Sequence, residues 1–280
     1  MSVALIVSSF VAASRIGGAA QQFVLAAQGI DPVLAPTVMY GRSPARGSQG
    51  EITEPAVLRR MLGDIEADAL FGMVDLVITG HFSSAAQVEI VADLLGRIRA
   101  SRDLKQPVLL VDPIMGDAPK GLYVDEGAAE AVAERLVPLA DWITPNLWEL
   151  GRLTGSNPLD AAAVVTAARS LGRPALVTSA PAREGEAGLI LVEADNSVLF
   201  AHPRLAASPS GTGDLVTASF AAGLVQGLTP AAAAERAAGA AYLAVAAAQA
   251  WGAPELPVVA LGDQLTHPDV RIRIEPLEPL

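Results

Sequence analysis

Residues 108–117 read VLLVDPIMGD: four apolar residues, Val108–Val111, delivered into a polar turn that begins at Asp112 and closes on Gly116-Asp117. An apolar run this short, ending in turn residues, is the mark of a buried strand. The same unit recurs outward in both directions, at 3–7, 33–35, 76–79, 142–144 and 175–178. Helical stretches fall between them near 17–28, 54–70, 84–101, 126–136, 146–153 and 158–170. Strands alternating with helices of that length require βαβ crossovers and a mostly parallel sheet covered on both faces. Only 188–201 breaks the rhythm. There, runs at 188–192 and 198–201 flank the turn Asp195-Asn196-Ser197, which predicts a hairpin at the edge of the sheet. Two more helices are expected at 213–226 and 230–250. No linker divides the chain, so 1–280 is read as one α/β domain with 266–280 as a C-terminal tail.

Composition narrows the chemistry. The net charge of −11 argues against a general nucleic-acid binder and against a polybasic membrane-surface protein. The absence of cysteine removes disulfides, thiolate nucleophiles and Cys-ligated metal sites. Residues 1–14 are apolar but lack the basic start of a signal peptide, so a buried first strand ending in a turn at Ser8-Ser9 is expected. Residues 215–234 carry no charge, yet Gly223, Gly227 and Pro230 punctuate them, which predicts two helices of a soluble domain rather than a membrane span.

Ligands of open α/β sheets gather beyond the carboxyl ends of the strands. That places interest on Ser8, the 36–50 loop, Gly80-His81, 112–117, 144–149, Thr178-Ser179 and the start of the 213–226 helix. Ser210-Gly211-Thr212-Gly213-Asp214 leads straight into that apolar helix. Successive free amides at a helix start cradle an anion, and Asp214 in the first turn can take a proton from an attacking hydroxyl. An equally weighted reading has Asp214 merely complementing the helix dipole, which would favour its ionised form. Asp112 and Asp117 can hold magnesium beside a triphosphate, although an ordinary Asp-Pro turn is the simpler reading of 112–117 taken alone. In Thr144-Pro145-Asn146-Leu147-Trp148-Glu149, Pro145 fixes the helix start and puts Glu149 near its first turn. As a set, an anion cradle and several carboxylates suit phosphoryl transfer, which needs a base, positioning and charge neutralisation. The chain has neither a Walker loop nor a GxGxxG fingerprint after the first strand.

The segments DPIMGD, GLYV, ITPNLWEL, LVTSA and PSGTGDL, in consistent order between Ser8 and about residue 250, resemble the ribokinase-like superfamily and, within it, the pyridoxal kinases. The resemblance implies a three-layer α/β/α sandwich, a homodimer, and transfer of the γ-phosphate of ATP to the 5′-hydroxyl of pyridoxal; the cytoplasm is the compartment expected from the lack of cysteine. It implies Asp214 as catalytic base, with Gly211, Thr212 and Gly213 as the anion hole. Asp112, Asp117, Tyr123, Thr144, Glu149, Thr178 and Ser179 would surround ATP, with Asp112 and Glu149 on Mg2+ and K+ as a helping cation. Ser8, Gly18, Pro44, His81 and Asp214 would form the vitamin side, with Ser8 at the polar edge of the pyridine ring.

The departures from the pattern fall on that vitamin side. Pyridoxal kinases often read SHV and GN where this chain has Ser8-Ser9-Phe10 and Gly17-Gly18. Arg42-Ser43-Pro44 stands in place of an NHT-type loop, and His81 in place of a tyrosine. Two alternatives therefore stay open: a hydroxymethylpyrimidine kinase, and a silent relative that binds vitamer or nucleotide without turnover. His81 is expected to titrate in the ordinary imidazole range, and the 116–123 loop is expected to be a mobile lid.

Overall fold

The computed structural model describes residues 2–67, 70–101, 105–206 and 209–277. Strand β1 (Ser2–Val11) passes through helix α1 (Gly18–Ala27) to the parallel strand β2 (Ile30–Tyr40), and β3 (Glu51–Ile52) turns back along β2. Helix α2 (Pro55–Ala67) leads to β4 (Val74–Thr79), and α3 (Ala85–Ala100) to β5 (Val108–Val111). Residues 68–69 of the helix expected over 54–70 lie outside the described residues. A small hairpin, β6 (Gly116–Asp117) and β7 (Gly121–Leu122), precedes α4 (Glu126–Ala131), which continues as a π-helical turn over Val132–Leu136. Next come β8 (Trp142–Ile143), α5 (Leu147–Thr154), α6 (Ala161–Ser170) and β9 (Ala175–Ala180). The antiparallel strands β10 (Glu186–Val192) and β11 (Ser197–Pro203) lead to α7 (Thr212–Val225), α8 (Pro230–Trp251), α9 (Val258–Leu261) and β12 (Arg273–Pro276).

Ten strands form one sheet in the order β12-β11-β10-β9-β8-β5-β4-β1-β2-β3, parallel from β9 through β2. The alternation of strand side chains builds two cores. Leu5, Val7, Val77, Leu109 and Val111 face α2 through α6, whereas Ala4, Ile6, Ile78 and Leu110 face α1, α7, α8 and α9. This is the expected three-layer α/β/α sandwich. With few aromatics to fill space, the α7–α8 layer is built largely from alanine, and Phe220 meets Trp142 edge-on at 5.1 Å. Local signals set the helix ends: Ser84, Asp125, Asp160 and Thr229 each accept a backbone N–H in the first turn of α3, α4, α6 and α8. Among the described residues no helix is long and apolar enough to cross a membrane, as expected for 215–234.

Two expectations change, and a third segment gains a defined shape. β1 runs past Ser8-Ser9 to Val11, because β2 extends to Tyr40 beside it, so Ser8 lies within a strand opposite Pro36 rather than in a turn. The β10–β11 hairpin does not form the edge, since the segment read as a tail supplies β12 alongside β11. The 116–123 segment is a hairpin held by Tyr123 N–H on the Met115 carbonyl at 3.0 Å and Asn146 Nδ2 on the Gly116 carbonyl at 2.8 Å.

Candidate active site

At the carboxyl ends of the central strands, β5 delivers Asp112, β8 delivers Thr144, α5 presents Glu149 and α7 begins beside Asp214. All four side chains are buried. Glu149 completes a capping box: its Oε2 accepts from Asn146 N–H at 2.8 Å while Asn146 Oδ1 accepts from Glu149 N–H at 2.9 Å. Its other oxygen accepts from Met115 N–H at 3.1 Å, which ties α5 to the turn after β5. Asp112 Oδ2 accepts from Thr217 Oγ1 at 2.9 Å, and Thr217 Oγ1 lies 2.9 Å from Thr144 Oγ1.

Electrostatically the cluster is under-compensated. No ion pair among the described residues involves Asp112, Glu149 or Asp214. Burial lifts Asp112 well above the usual carboxylate range, and the charges of Glu149 and Asp214 lift it further. Burial pushes Glu149 up to about 7, against the pull of its three backbone N–H donors. Asp214 rises to about 6 for the same reason. The helix dipole was expected to favour the Asp214 carboxylate; desolvation outweighs it. A low-dielectric set of oxygen ligands like this invites a hard cation.

The start of α7 fits an anion. Gly211 sits at φ 91°, and a Cβ placed there would come within 2.1 Å of the Arg15 carbonyl oxygen, so only glycine fits. No side chain among the described residues caps this helix, and Thr212 Oγ1 instead donates back to Pro209 O at 2.9 Å. The first-turn amides thus have no intrahelical partner, and Gly213 adds no side chain in front of them. Asp214 Oδ2 accepts from Gly17 N–H at 2.8 Å, while its Oδ1 is buried without a hydrogen-bond partner among the described residues. Gly17, at φ 62°, is confined by Ser9, whose Oγ lies 2.1 Å from where a Cβ would stand.

A neutral patch lies where β1 and β4 end. Ser8 Oγ accepts from His81 N–H at 3.2 Å, and Thr37 Oγ1 donates to the His81 carbonyl at 2.6 Å. Two neighbouring strands thereby clamp the His81 backbone. Its Nδ1 is buried without a partner among the described residues, and burial lowers the imidazole to about 4. Burial therefore favours the neutral imidazole and moves its titration below the ordinary range.

The remaining expected residues separate. Gly18 is buried against Leu34, and Pro44 opens an exposed one-turn helix whose Arg46 pairs with Glu255 at 3.2 Å. Asp117 lies in the β6–β7 hairpin beside exposed Lys120, at 3.4 Å, and Tyr123 is 49% exposed just beyond it. Thr178 N–H donates to Pro145 O at 2.9 Å, which brings the end of β9 beside α5. Ser179 is exposed at φ 53°, a left-handed backbone costing on the order of 1 kcal/mol outside glycine. Sequence reading passed over Thr217, and named Gly17, Asn146 and Thr37 only within longer segments, without a role of their own. Thr217 alone had a local signal, standing three residues after Asp214 and so on the same helix face.

A family model described as phosphomethylpyrimidine kinase matches residues 25–259. A pyridoxine/pyridoxal/pyridoxamine kinase from Bordetella avium is 35% identical over 229 residues, covering 79% of this chain and 77% of that one. A pyridoxal kinase from Pseudomonas aeruginosa is 30% identical over 277 residues, covering 95% and 96%. The solved pyridoxal kinase from Leishmania donovani, in complex with ADP and pyridoxamine, shares the fold at a TM-score of 0.92 with 24% identity, over 99% of this chain and 100% of that one. Identity of 35% over 79% of this chain with one relative, and of 30% over 95% of it with another, decides the matter: the chain belongs to the pyridoxal kinase family.

Proposed function

We propose that this chain transfers the γ-phosphate of ATP to the 5′-hydroxymethyl group of pyridoxal, with Asp214 as the general base. The observation that carries this is the unequal pair of oxygens on Asp214. Oδ2 is anchored by Gly17 N–H, and Oδ1 is buried with no partner among the described residues. A carboxylate held in this way accepts a hydroxyl proton without reorienting. The first-turn amides of α7, over Gly211, Thr212 and Gly213, offer donors to negative charge developing on the transferred group.

Magnesium fits the residues present. No three of His, Asp and Glu among the described residues converge as an all-protein metal cage. Magnesium beside a triphosphate needs only one or two carboxylates, with waters and phosphates completing its shell. Asp112 would hold it, while Glu149, both of whose oxygens carry backbone N–H groups, would act through water. Bound there, the ion supplies charge neutralisation to the phosphates. Potassium is a further proposed requirement, at the same oxygen-rich end. Thr178, Ser179, Asp117 and Tyr123 border this end and would line the nucleotide.

Ser8 and His81 would form the neutral side that meets the heteroaromatic ring, from which Gly18, buried against Leu34, and Pro44, in an exposed turn, stand apart. A homodimer is proposed through the β3 edge of the sheet, where Ile52 and Met39 are exposed. The cytoplasm, where ATP is supplied, is the proposed setting. The family model's description, phosphomethylpyrimidine kinase, keeps one second reading in play, a pyrimidine acceptor with hydroxymethylpyrimidine as its alcohol form. A coupled assay of ADP release against pyridoxal, pyridoxine, pyridoxamine, hydroxymethylpyrimidine and ribose tests the proposal. A B6 vitamer should give the highest kcat/KM. A higher value for hydroxymethylpyrimidine would transfer the substrate assignment, and no ADP release with any acceptor would leave a silent binder.

A further inference from the structure

Thr217 lies on α7 three residues after Asp214, is 1% exposed, and reaches across to two other elements. Its Oγ1 stands 2.9 Å from Asp112 Oδ2, at the end of β5, and 2.9 Å from Thr144 Oγ1, beyond β8. A threonine hydroxyl has one proton to give. In the cation-bound state, where Asp112 is ionised, that proton goes to the carboxylate, so at the other contact Thr217 accepts and Thr144 donates. The order Thr144 to Thr217 to Asp112 is thereby fixed, and every proton in it points toward the carboxylate. Thr144 then presents only lone pairs to whatever lies beyond it, which suits a cation and not a phosphate oxygen.

We propose that Thr217 is a positioning residue that aims the Asp112 carboxylate, and through it the divalent cation, from the same helix that carries the base. The relay ties the orientation of the cation ligand to the placement of α7, so the phosphate-neutralising group and Asp214 share one rigid support. This inference rests on the reading of the site as a magnesium-dependent phosphotransferase.

The experiment is a Mn2+ titration of the full chain with a non-hydrolysable ATP analogue, free Mn2+ being counted by electron paramagnetic resonance. It is run on wild type, Thr217→Val, Thr217→Ala and Thr217→Ser, with steady-state kinetics alongside. Valine keeps the shape and removes the hydroxyl, alanine leaves room so that crowding cannot be the cause, and serine retains the hydroxyl. Loss of a hydrogen bond to a charged group predicts Mn2+ binding weakened about tenfold or more in the Val and Ala variants. kcat should fall with an unchanged pyridoxal KM, and Ser should restore both. Wild-type Mn2+ affinity in both Val and Ala, or a Ser variant as weak as they are, would overturn the role of Thr217. Failure of the wild type itself to bind Mn2+ with nucleotide would instead sink the phosphotransferase reading, so the two failures are distinguishable.

Discussion

The two ends of the site are built on opposite electrostatic plans. Asp112, Glu149 and Asp214 are buried carboxylates at one end of the sheet, in no ion pair among the described residues, and each is lifted above its ordinary range by burial. Around Ser8, Thr37 and His81, the groups are neutral, and the imidazole is held uncharged. On the proposed reading, the acidic end serves counter-ions and moving protons, and the neutral end serves shape and hydrogen bonding. The difference teaches where each kind of substitution should register: in rate and metal dependence at one end, in acceptor affinity at the other.

Short of removing the base itself, the sharpest break at the charged end is Gly211→Ala. A methyl group would meet the Arg15 carbonyl and the φ of 91° would be strained, so the amide cradle must move. Losing one or more oxyanion donors costs about 10²–10³ in kcat. The check is kcat by ADP release, with circular dichroism to confirm the fold; a rate within a few-fold of wild type would mean that the cradle is not used.

At the neutral end, Ser8→Ala leaves the His81 N–H without its acceptor and, on the proposed reading, removes a group that meets the ring. Loss of a single neutral hydrogen bond predicts about a tenfold rise in pyridoxal KM, with kcat and ATP KM little changed. If kcat fell while KM stayed put, the division between the two ends would be wrong.

The smallest effect is on stability. Carboxylates whose folded pKa values lie above their unfolded values near 4 bind more protons folded than unfolded in that window. Their contribution to stability is therefore greatest at acid pH and is lost as pH rises through about 6 for Asp214 and about 7 for Glu149. Asp112→Asn removes one member of the set. Without metal it should raise Tm by a few degrees at pH 7.5 and by less at pH 5, as calorimetry would record. A Tm lowered equally at both pH values would show that Asp112 is compensated in a way that the geometry does not reveal.

How much of this was legible in the sequence follows the same division of causes. The parallel strands were visible because each is a buried apolar run closed by a turn, as at Val108–Val111. β12 and β3 were not visible, because short strands at the margins, with residues such as Arg273 and Glu51, lack that run and form only when a neighbour offers its edge. Asp112, Glu149 and Asp214 were readable from their places after strands and at helix starts. The Gly17 N–H on Asp214, a contact between residues 197 apart in the chain, exists only in three dimensions. So does the Thr217 bridge to Asp112. Direction of charge was misjudged for the same reason. A helix start is written in the local sequence, whereas the desolvation that raises Asp214 and neutralises His81 comes from everything packed around them.

The central claim, that a buried carboxylate on α7 is the base serving a neutral alcohol pocket, is tested most directly by Asp214→Asn with pyridoxal as acceptor. The substitution keeps shape and the contact from Gly17 while removing the ability to take a proton. The account predicts that kcat falls by about 10²–10⁴ with pyridoxal and ATP KM nearly unchanged, and that the wild-type acid limb near pH 6 disappears from the residual rate. A variant that turns over at close to the wild-type rate, with the acid limb intact, would contradict it.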